Sequence, residues 1–378
     1  MSAARFRIAG LAALALACSA AAAMAKSQCV SCHAALDEKQ REIVSRFRND
    51  IHRERGVSCH GCHGGDSSAE EAWKGMDPGA GFVGAPSKAE TPAFCGKCHS
   101  RAEYIKRFNP ALPVDQEKKY FTSGHGRRLK KGDSKVAACS SCHTAHSILP
   151  SKDPRSTVYA KNIPATCGKC HSDAGLMKSY GLPADQAAKY AGSVHGKALL
   201  ERGDIAAPVC NDCHGNHGAG PPGVRDIAMV CGLCHPHNME LFNGSPMASQ
   251  WKKKKFHACA TCHGSHDVGH PTAAMLGAEN GLCRRCHRAG DKGLAAGAAI
   301  KGLMERMEAG YRETEETVRI AEEKGMDVPT RRTCFRKRGR PSFWPRPPST
   351  GSGWPQSRRR RARASPLWRR PRRWRKGR

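Results

Sequence analysis

Aromatic side chains are scarce in this chain: Phe, Tyr and Trp make up 6% of its 378 residues. The mean hydropathy is −0.59. So little apolar side chain cannot by itself offset the conformational entropy of ordering a chain this long. Long apolar runs are missing too. Beyond the first 25 residues none approaches the ~20 residues that a membrane-crossing helix needs, so the mature chain is expected not to span a membrane. Spare thiols are also lacking. Of 20 cysteines, 18 fall into one recurring motif, leaving Cys18 and Cys334. A disulfide framework therefore has no thiols to use, although an oxidising compartment would permit one. Finally, acid is absent from residues 331–378, which carry 19 Lys and Arg.

What is present is the string Cys-x-x-Cys-His, nine times. The copies are Cys29/Cys32/His33, Cys59/Cys62/His63, Cys95/Cys98/His99, Cys139/Cys142/His143 and Cys167/Cys170/His171. Cys210/Cys213/His214, Cys231/Cys234/His235, Cys259/Cys262/His263 and Cys283/Cys286/His287 complete the set. Each reads as a c-type haem attachment site. The two thiols would form thioethers with the porphyrin vinyl groups, and the adjacent His is placed as the proximal iron ligand. Paired Cys-x-x-Cys ligands also build zinc sites, but zinc would not require His after every second Cys. Nine covalent haem c groups would then supply the missing apolar surface. The expected fold is mainly α and coil with little or no sheet, a haem-dominated core, and a largely unfolded chain without haem.

The charge fits this reading. Removing the 19 basic residues of the tail and the two arginines of segment 1–25 from the formal +30 leaves +9 over residues 26–330. Nine ferric haems, each net −1 through its propionates, would bring that region close to neutrality. A nucleic-acid partner inferred from the pI loses its basis. Arg5 and Arg7, the apolar run Ile8 to Ala17 and the ending Ala23-Met24-Ala25 form a signal peptide, residues 1–25, with cleavage expected after Ala25 and a periplasmic destination. A lipoprotein reading would use Cys18, but Ala15-Leu16-Ala17 lacks the usual Leu three positions before the Cys.

Residues 26–290 form the expected haem domain, and within it a repeat of about 71 residues starts at Cys95 and again at Cys167, with a shortened copy from Cys231. Cys95-Gly96-Lys97-Cys98-His99-Ser100 recurs as Cys167-Gly168-Lys169-Cys170-His171-Ser172. Ser123-Gly124-His125-Gly126 recurs as Ser193-Val194-His195-Gly196, and Cys142-His143-x-x-His146 as Cys213-His214-x-x-His217 and Cys262-His263-x-x-His266. Such repetition means a duplicated two-haem module, stacked in copies. Ten histidines lie outside the proximal positions. His60 sits inside its own motif, poorly placed to reach that iron. The other nine, His52, His125, His146, His195, His217, His237, His257, His266 and His270, are candidate distal ligands; the repeated ones form the stronger group. His52, His237, His257 and His270 read equally as surface or propionate-pairing residues. The third module has Ser245-Pro246-Met247-Ala248 where the others have Ser-x-His-Gly. Met247 is therefore either an axial ligand, which would raise that haem's potential, or a methionine packed on a porphyrin.

On these motifs the chain resembles the multihaem c-type cytochromes of the doubled Cys-x-x-Cys-His type over roughly residues 26–290. The resemblance implies a periplasmic electron carrier in a respiratory chain, with redox partner proteins that include membrane quinol-oxidising complexes. The competing class is a multihaem reductase for nitrite, hydroxylamine or tetrathionate, which needs one iron with an open position. All nine motifs end in His, and the nine spare histidines argue for a conductor. Lys252–Lys255 could dock an acidic partner, but such a run is usually a solvated face.

Residues 291–330 are expected to form an amphipathic helix. Ile300, Met304, Met307, Tyr311, Thr314, Val318 and Ala321 keep a seven-residue stripe. In the resembled family it looks like the first arm of a helical hairpin. Residues 331–378 hold four of the six Trp and no acid. They read as a basic tail without a stable fold, or as a shifted reading frame of a GC-rich gene.

Overall fold

The computed structural model describes residues 27–220, 227–276, 281–326 and 328. The signal segment 1–25 and the tail 331–378 lie outside the described residues. Among the described residues there are short helices, turns and no strand, as the scarcity of apolar side chain requires. Helix α1 (Gln28–Ala35) carries the first motif; α2 (Glu38–Phe47) and α3 (Ile51–Glu54) lead to the second on α4 (Cys59–His63). After α5 (Ala72–Gly75) comes the first full module. It comprises α6 (Thr91–His99), α7 (Ala102–Phe108), α8 (Gln116–Thr122), α9 (Gly124–Lys130) and α10 (Cys139–His143). The second repeats it as α11 (Ile163–His171), α12 (Ala174–Ser179), α13 (Gln186–Gly192), α14 (Val194–Leu200) and α15 (Cys210–His214). The third is shortened to α16 (Ile227–Gly232), α17 (Pro236–Asn243), α18 (Pro246–Lys254) and α19 (Ala258–His263).

The helical motifs are short for a chemical reason. One turn suffices to bring the two cysteines, three apart, and the following histidine onto one face. The chain then breaks abruptly after the second motif and after each even-numbered one. Gly64, Gly215 and Gly264 take φ of 72°, 78° and 77° there, a region that glycine enters freely. At the equivalent place after α10 stands Thr144 with φ 68°.

Each full module has a small apolar cluster of its own. The first joins Tyr120, Leu129, Val136 and Ala138, the second Tyr190, Ala198, Leu199, Ala207 and Val209. The tyrosine hydroxyls donate to the carbonyls of Ala137 and Pro208 at 2.8 and 2.9 Å. Burying such side chains is worth roughly 1.5–3 kcal/mol each. Ordering backbone costs about 1–2 kcal/mol per residue, so four or five buried residues cannot hold a module of about 71. Attached haem must contribute most of the rest.

These clusters explain the Ser-x-His-Gly string. The serine caps the helix: Ser123 Oγ accepts from Gly126 N at 2.8 Å and Ser193 Oγ from Gly196 N at 3.0 Å. The glycine permits close packing, since a Cβ on Gly126 or Gly196 would lie 2.1 or 1.9 Å from the carbonyl oxygen of Tyr120 or Tyr190. The histidine between them is left to point elsewhere.

The expected C-terminal helix is present as α20 (Lys292–Glu323), which falls inside the expected span 291–330. Asp291 caps it, accepting from Gly293 N and Leu294 N. Its first turns pack on the ninth motif, where a Cβ on Gly293 would come 2.2 Å from the His287 ring. Farther along, Ile300, Leu303 and Met307 are exposed.

Candidate functional site: facing histidine pairs

Six of the nine motif histidines stand opposite a second histidine. The pairs are His63–His146, His99–His52, His143–His217, His171–His125, His214–His266 and His235–His195. Their ring centroids lie between 5.8 Å (His214–His266) and 6.4 Å (His195–His235) apart. Two metal–imidazole bonds of about 2 Å, with roughly 1.1 Å from each nitrogen to its ring centre, give about 6.2 Å. The spacing is therefore that of two imidazoles on opposite sides of one metal.

Electrostatics and hydrogen bonds fit the same arrangement. A ligating imidazole must be neutral, and burial holds several rings in that state. His99, His125, His143 and His195 are all lowered first by burial and then by the ring they face. Where Nδ1–H is held by an acceptor, Nε2 is left to bind a metal. Such acceptors are Gly84 O for His63 at 2.7 Å, Gly220 O for His214 at 3.0 Å and Asp50 Oδ1 for His52 at 2.9 Å. Asp50 is 2% exposed. It also accepts from His52 N and, through Oδ2, from Ile148 N at 2.7 Å. Burial works to raise its carboxyl, but the hydrogen bonds from His52 and Ile148 outweigh that and hold it below its ordinary value.

The pairing follows a rule. A histidine before an even-numbered motif faces the odd motif that comes next: His52 faces His99, His125 faces His171, His195 faces His235. A histidine three residues after an even motif faces the even motif before it: His146 faces His63, His217 faces His143, His266 faces His214. Each full module thus sets histidines opposite those of its neighbours on both sides. The two sets are tied by the backbone. The N–H groups of Ile51, Gly124 and Val194 donate to the carbonyls of Ile148, Ala219 and Val268 at 2.8–2.9 Å, in each case two residues beyond a paired histidine.

His33, His263 and His287 have no histidine opposite them among the described residues. His33 Nδ1 meets Gln40 Oε1, and His287 Nδ1 meets Asp291 Oδ2 at 2.8 Å. Of the remaining candidates, His237 lies 3.9 Å from Glu240, and His270 Nδ1 meets Pro271 O; neither they nor His257 enter the six pairs. His60 Nδ1 is engaged by Ser58 Oγ.

None of the 18 described cysteines is in a disulfide, and none is fully buried. Cys32, Cys142, Cys213, Cys234 and Cys286 are exposed, and the other motif cysteines, Cys231 and Cys259 among them, are half-buried. Cys32 departs most from the expectation of anchors set in a haem-dominated core. Its motif begins the array and has a neighbour on one side only, and it is Cys29, not Cys32, that adjoins the second motif at Cys59.

Consecutive motifs adjoin through such thiols. Cys95 lies hydrogen-bonded to Cys139 and Cys167 to Cys210, contacts that raise the donor thiols Cys95 and Cys167 above their usual value. Burial first, and then a neighbouring motif's thiol, raises Cys59 (beside Cys29), Cys62 (beside Cys98), Cys142 (with Cys139, beside Cys170) and Cys262 (beside Cys283). Cys213 feels Cys234 in the same way. The seventh and eighth motifs meet where α16 packs on α19. The motifs therefore adjoin in chain order, first to ninth. No group of three or more His, Cys, Asp or Glu able to hold a bare metal ion occurs among the described residues, so the zinc alternative finds no tetrad.

Among known proteins, the family model for the doubled CXXCH motif matches residues 132–176, which carry the fourth and fifth motifs. A C-type polyheme cytochrome, OmcC of Geobacter sulfurreducens, is 22% identical over 176 residues, covering 42% of this chain. The match spans only 21% of that relative's own length. No solved structure matches the chain.

Proposed function

Given that the chain is a multihaem c-type cytochrome, we propose that it is an exported electron conductor. Nine covalent haems would be held in chain order between His33 and His287, passing electrons between redox partners of a periplasmic respiratory chain. Haem supplies the redox chemistry; the chain's own residues set spacing, ligation and exposure. The 18 motif cysteines would anchor the haems, with Cys32 and Cys29 holding the first, at the open end of the array. The nine motif histidines would be proximal ligands, and His52, His125, His146, His195, His217 and His266 distal ones. His237, His257 and His270 remain candidates for the others. In this reading residues 26–290 are the conducting domain and residues 291–330 a structural arm.

The observation that carries the proposal is the unbroken adjacency of motif cysteines along the chain. A conductor needs every neighbouring pair close, and a gap at any junction would divide it. No described helix is long and apolar enough to cross a membrane, which fits a chain that meets membrane complexes as a partner. The test is a haem count by mass spectrometry of the matured protein, joined to electron paramagnetic resonance of the oxidised form. Nine haems with six or more bis-His low-spin centres are expected. Fewer than nine, or a predominantly high-spin spectrum, overturns the reading.

A second reading, a multihaem reductase, is favoured by one observation: His33, His263 and His287 lack a facing histidine among the described residues. A high-spin centre that binds nitrite or cyanide and turns over would establish it.

A further inference from the structure

The forward-facing histidines share one local structure. His52, His125 and His195 are each the second residue of a short helix, after the caps Asp50, Ser123 and Ser193. Helix α18 has the same register, with Ser245 at the cap position, Pro246 first and Met247 second; Ser245 makes no side-chain cap bond, but its hydroxyl donates to Phe242 O as Ser193 donates to Tyr190 O. Its surroundings match as well. Helix α17 packs on both α16 and α18, as α8 packs on α6 and α9, and α13 on α11 and α14. Met247 therefore occupies in the third module the place of His125 and His195 in the first two. Those residues face the first motif histidine of the following unit, His171 and His235. The motif that follows the eighth is the ninth, whose His287 faces no histidine among the described residues.

The departures from the pattern are consistent with a terminal module. In the earlier units the first helical residue donates its N–H to the loop behind the next Cys-x-x-Cys-His-x-x-His. After Cys262-x-x-x-His266 this sequence has no further loop of that kind. The residue at the donor position is Pro246, which has no N–H to leave unpaired and suits a first helical position. Ala248 replaces the glycine, so α18 cannot approach α17 as closely as α9 approaches Tyr120. A methionine has more rotatable bonds than histidine and can adjust its sulfur to the altered approach.

We propose, on the conducting reading above, that Met247 Sδ is the distal ligand of the haem attached at Cys283 and Cys286, opposite His287. Methionine–histidine ligation raises a haem's potential relative to bis-histidine. The ninth haem is then the electron sink of the array and its natural exit.

The test uses the full-length, haem-loaded protein. Wild type should show the far-red charge-transfer absorption of methionine sulfur on ferric haem, with one haem titrating well above the rest. Met247→Leu should abolish the band. Met247→His should abolish it too and move one haem's share of the redox amplitude into the low-potential group, while preserving six-coordination if the leucine variant matures poorly. Met307→Leu, at an exposed methionine of α20, should leave the band unchanged. Peptide mass spectrometry showing haem on Cys283 and Cys286 separates this proposal from the haem count. With that haem present, a wild type without the band, or a Met247→Leu protein that keeps it, overturns the assignment.

Discussion

Among the described residues Asp50 is the one buried carboxylate that touches a paired histidine, so Asp50→Asn should change the electronic properties of one haem. Its Oδ1 lies 2.9 Å from His52 Nδ1. An iron bound at Nε2 of His52 would sit roughly 6.5 Å from that oxygen, one imidazole width plus one metal bond away. At an effective dielectric of about 20, a unit negative charge at that distance favours the ferric state by about 2.5 kcal/mol. For a one-electron couple this corresponds to about 110 mV. Solvent offers little screening, since the group is 2% exposed. Replacing the charge with an amide of the same shape should raise the potential of the haem between His52 and His99 by about 100 mV. The assay is a spectroelectrochemical titration followed by paramagnetic resonance, in which one low-spin signal should be reduced earlier than in wild type. A uniform drift of all centres, or no displaced centre at all, would refute the reasoning. A side effect is expected because the amide keeps one acceptor oxygen where the carboxylate has two, so either the Ile148 N–H or the His52 donors then face an N–H₂. The cost of about 1–3 kcal/mol should appear as reduced thermal stability, separable from the potential.

Other expectations follow from the packing. Gly126→Ala or Gly196→Ala drives a methyl into the carbonyl of Tyr120 or Tyr190 and should cost about 1–3 kcal/mol, read as a lower melting temperature with a disturbed His125 or His195 haem. Thr144→Gly relieves a positive φ worth about 1 kcal/mol, and should raise the melting temperature. Protein made without haem attachment should show little helix by circular dichroism and no cooperative melt, because the two side-chain clusters are too small to hold their modules.

Much of the site could be read directly from the sequence because it is written in local spacing. The nine motifs, the Ser-x-His-Gly loops and the Cys-His-x-x-His extensions each fit within six residues. The six histidines that face a motif histidine include all five repeated ones, plus His52, whose cap Asp50 does for it what serine does for His125 and His195. The partner of each was not legible, because every pair joins residues of different modules. A clue was nevertheless present. The fourth and sixth motifs each have one histidine before and one after them, one more than the single distal ligand an iron with a proximal histidine needs. Haem order depends likewise on contacts such as Cys95–Cys139, across 44 residues, which no local pattern encodes. Nor does local pattern separate the exposed Cys32 from the half-buried Cys29, since the difference comes from which motif lies alongside. The start of α20 is marked by Asp291, a helix cap that also engages His287.

The exchange of ligands between modules implies that haem coordination and module docking are one property, and a single hydrogen bond can test this. Gly124 N–H donates to Ala219 O at 2.8 Å. That contact ties the helix carrying His125 to the loop carrying His217, and so the distal sides of the fourth and fifth haems to each other. Gly124→Pro removes the donor and puts the ring Cδ where that N–H pointed, so the Ala219 loop must move away, while the helix itself accepts the ring. Ser123 already has ψ of 165°, the extended conformation required before proline, and proline is tolerated at a first helical position. The third module has proline at this position, where there is no loop to bind. The direct loss is about 0.5–1.5 kcal/mol, partly offset by the stiffer unfolded chain, so the protein should remain folded. If docking and ligation are coupled, the freed His217 loop should nonetheless give the fourth haem a measurable high-spin fraction that added imidazole reverses. If the high-spin fraction is unchanged while the melting temperature falls by the expected few degrees, the modules hold their ligands independently, and the repeat is only a means of stacking haems.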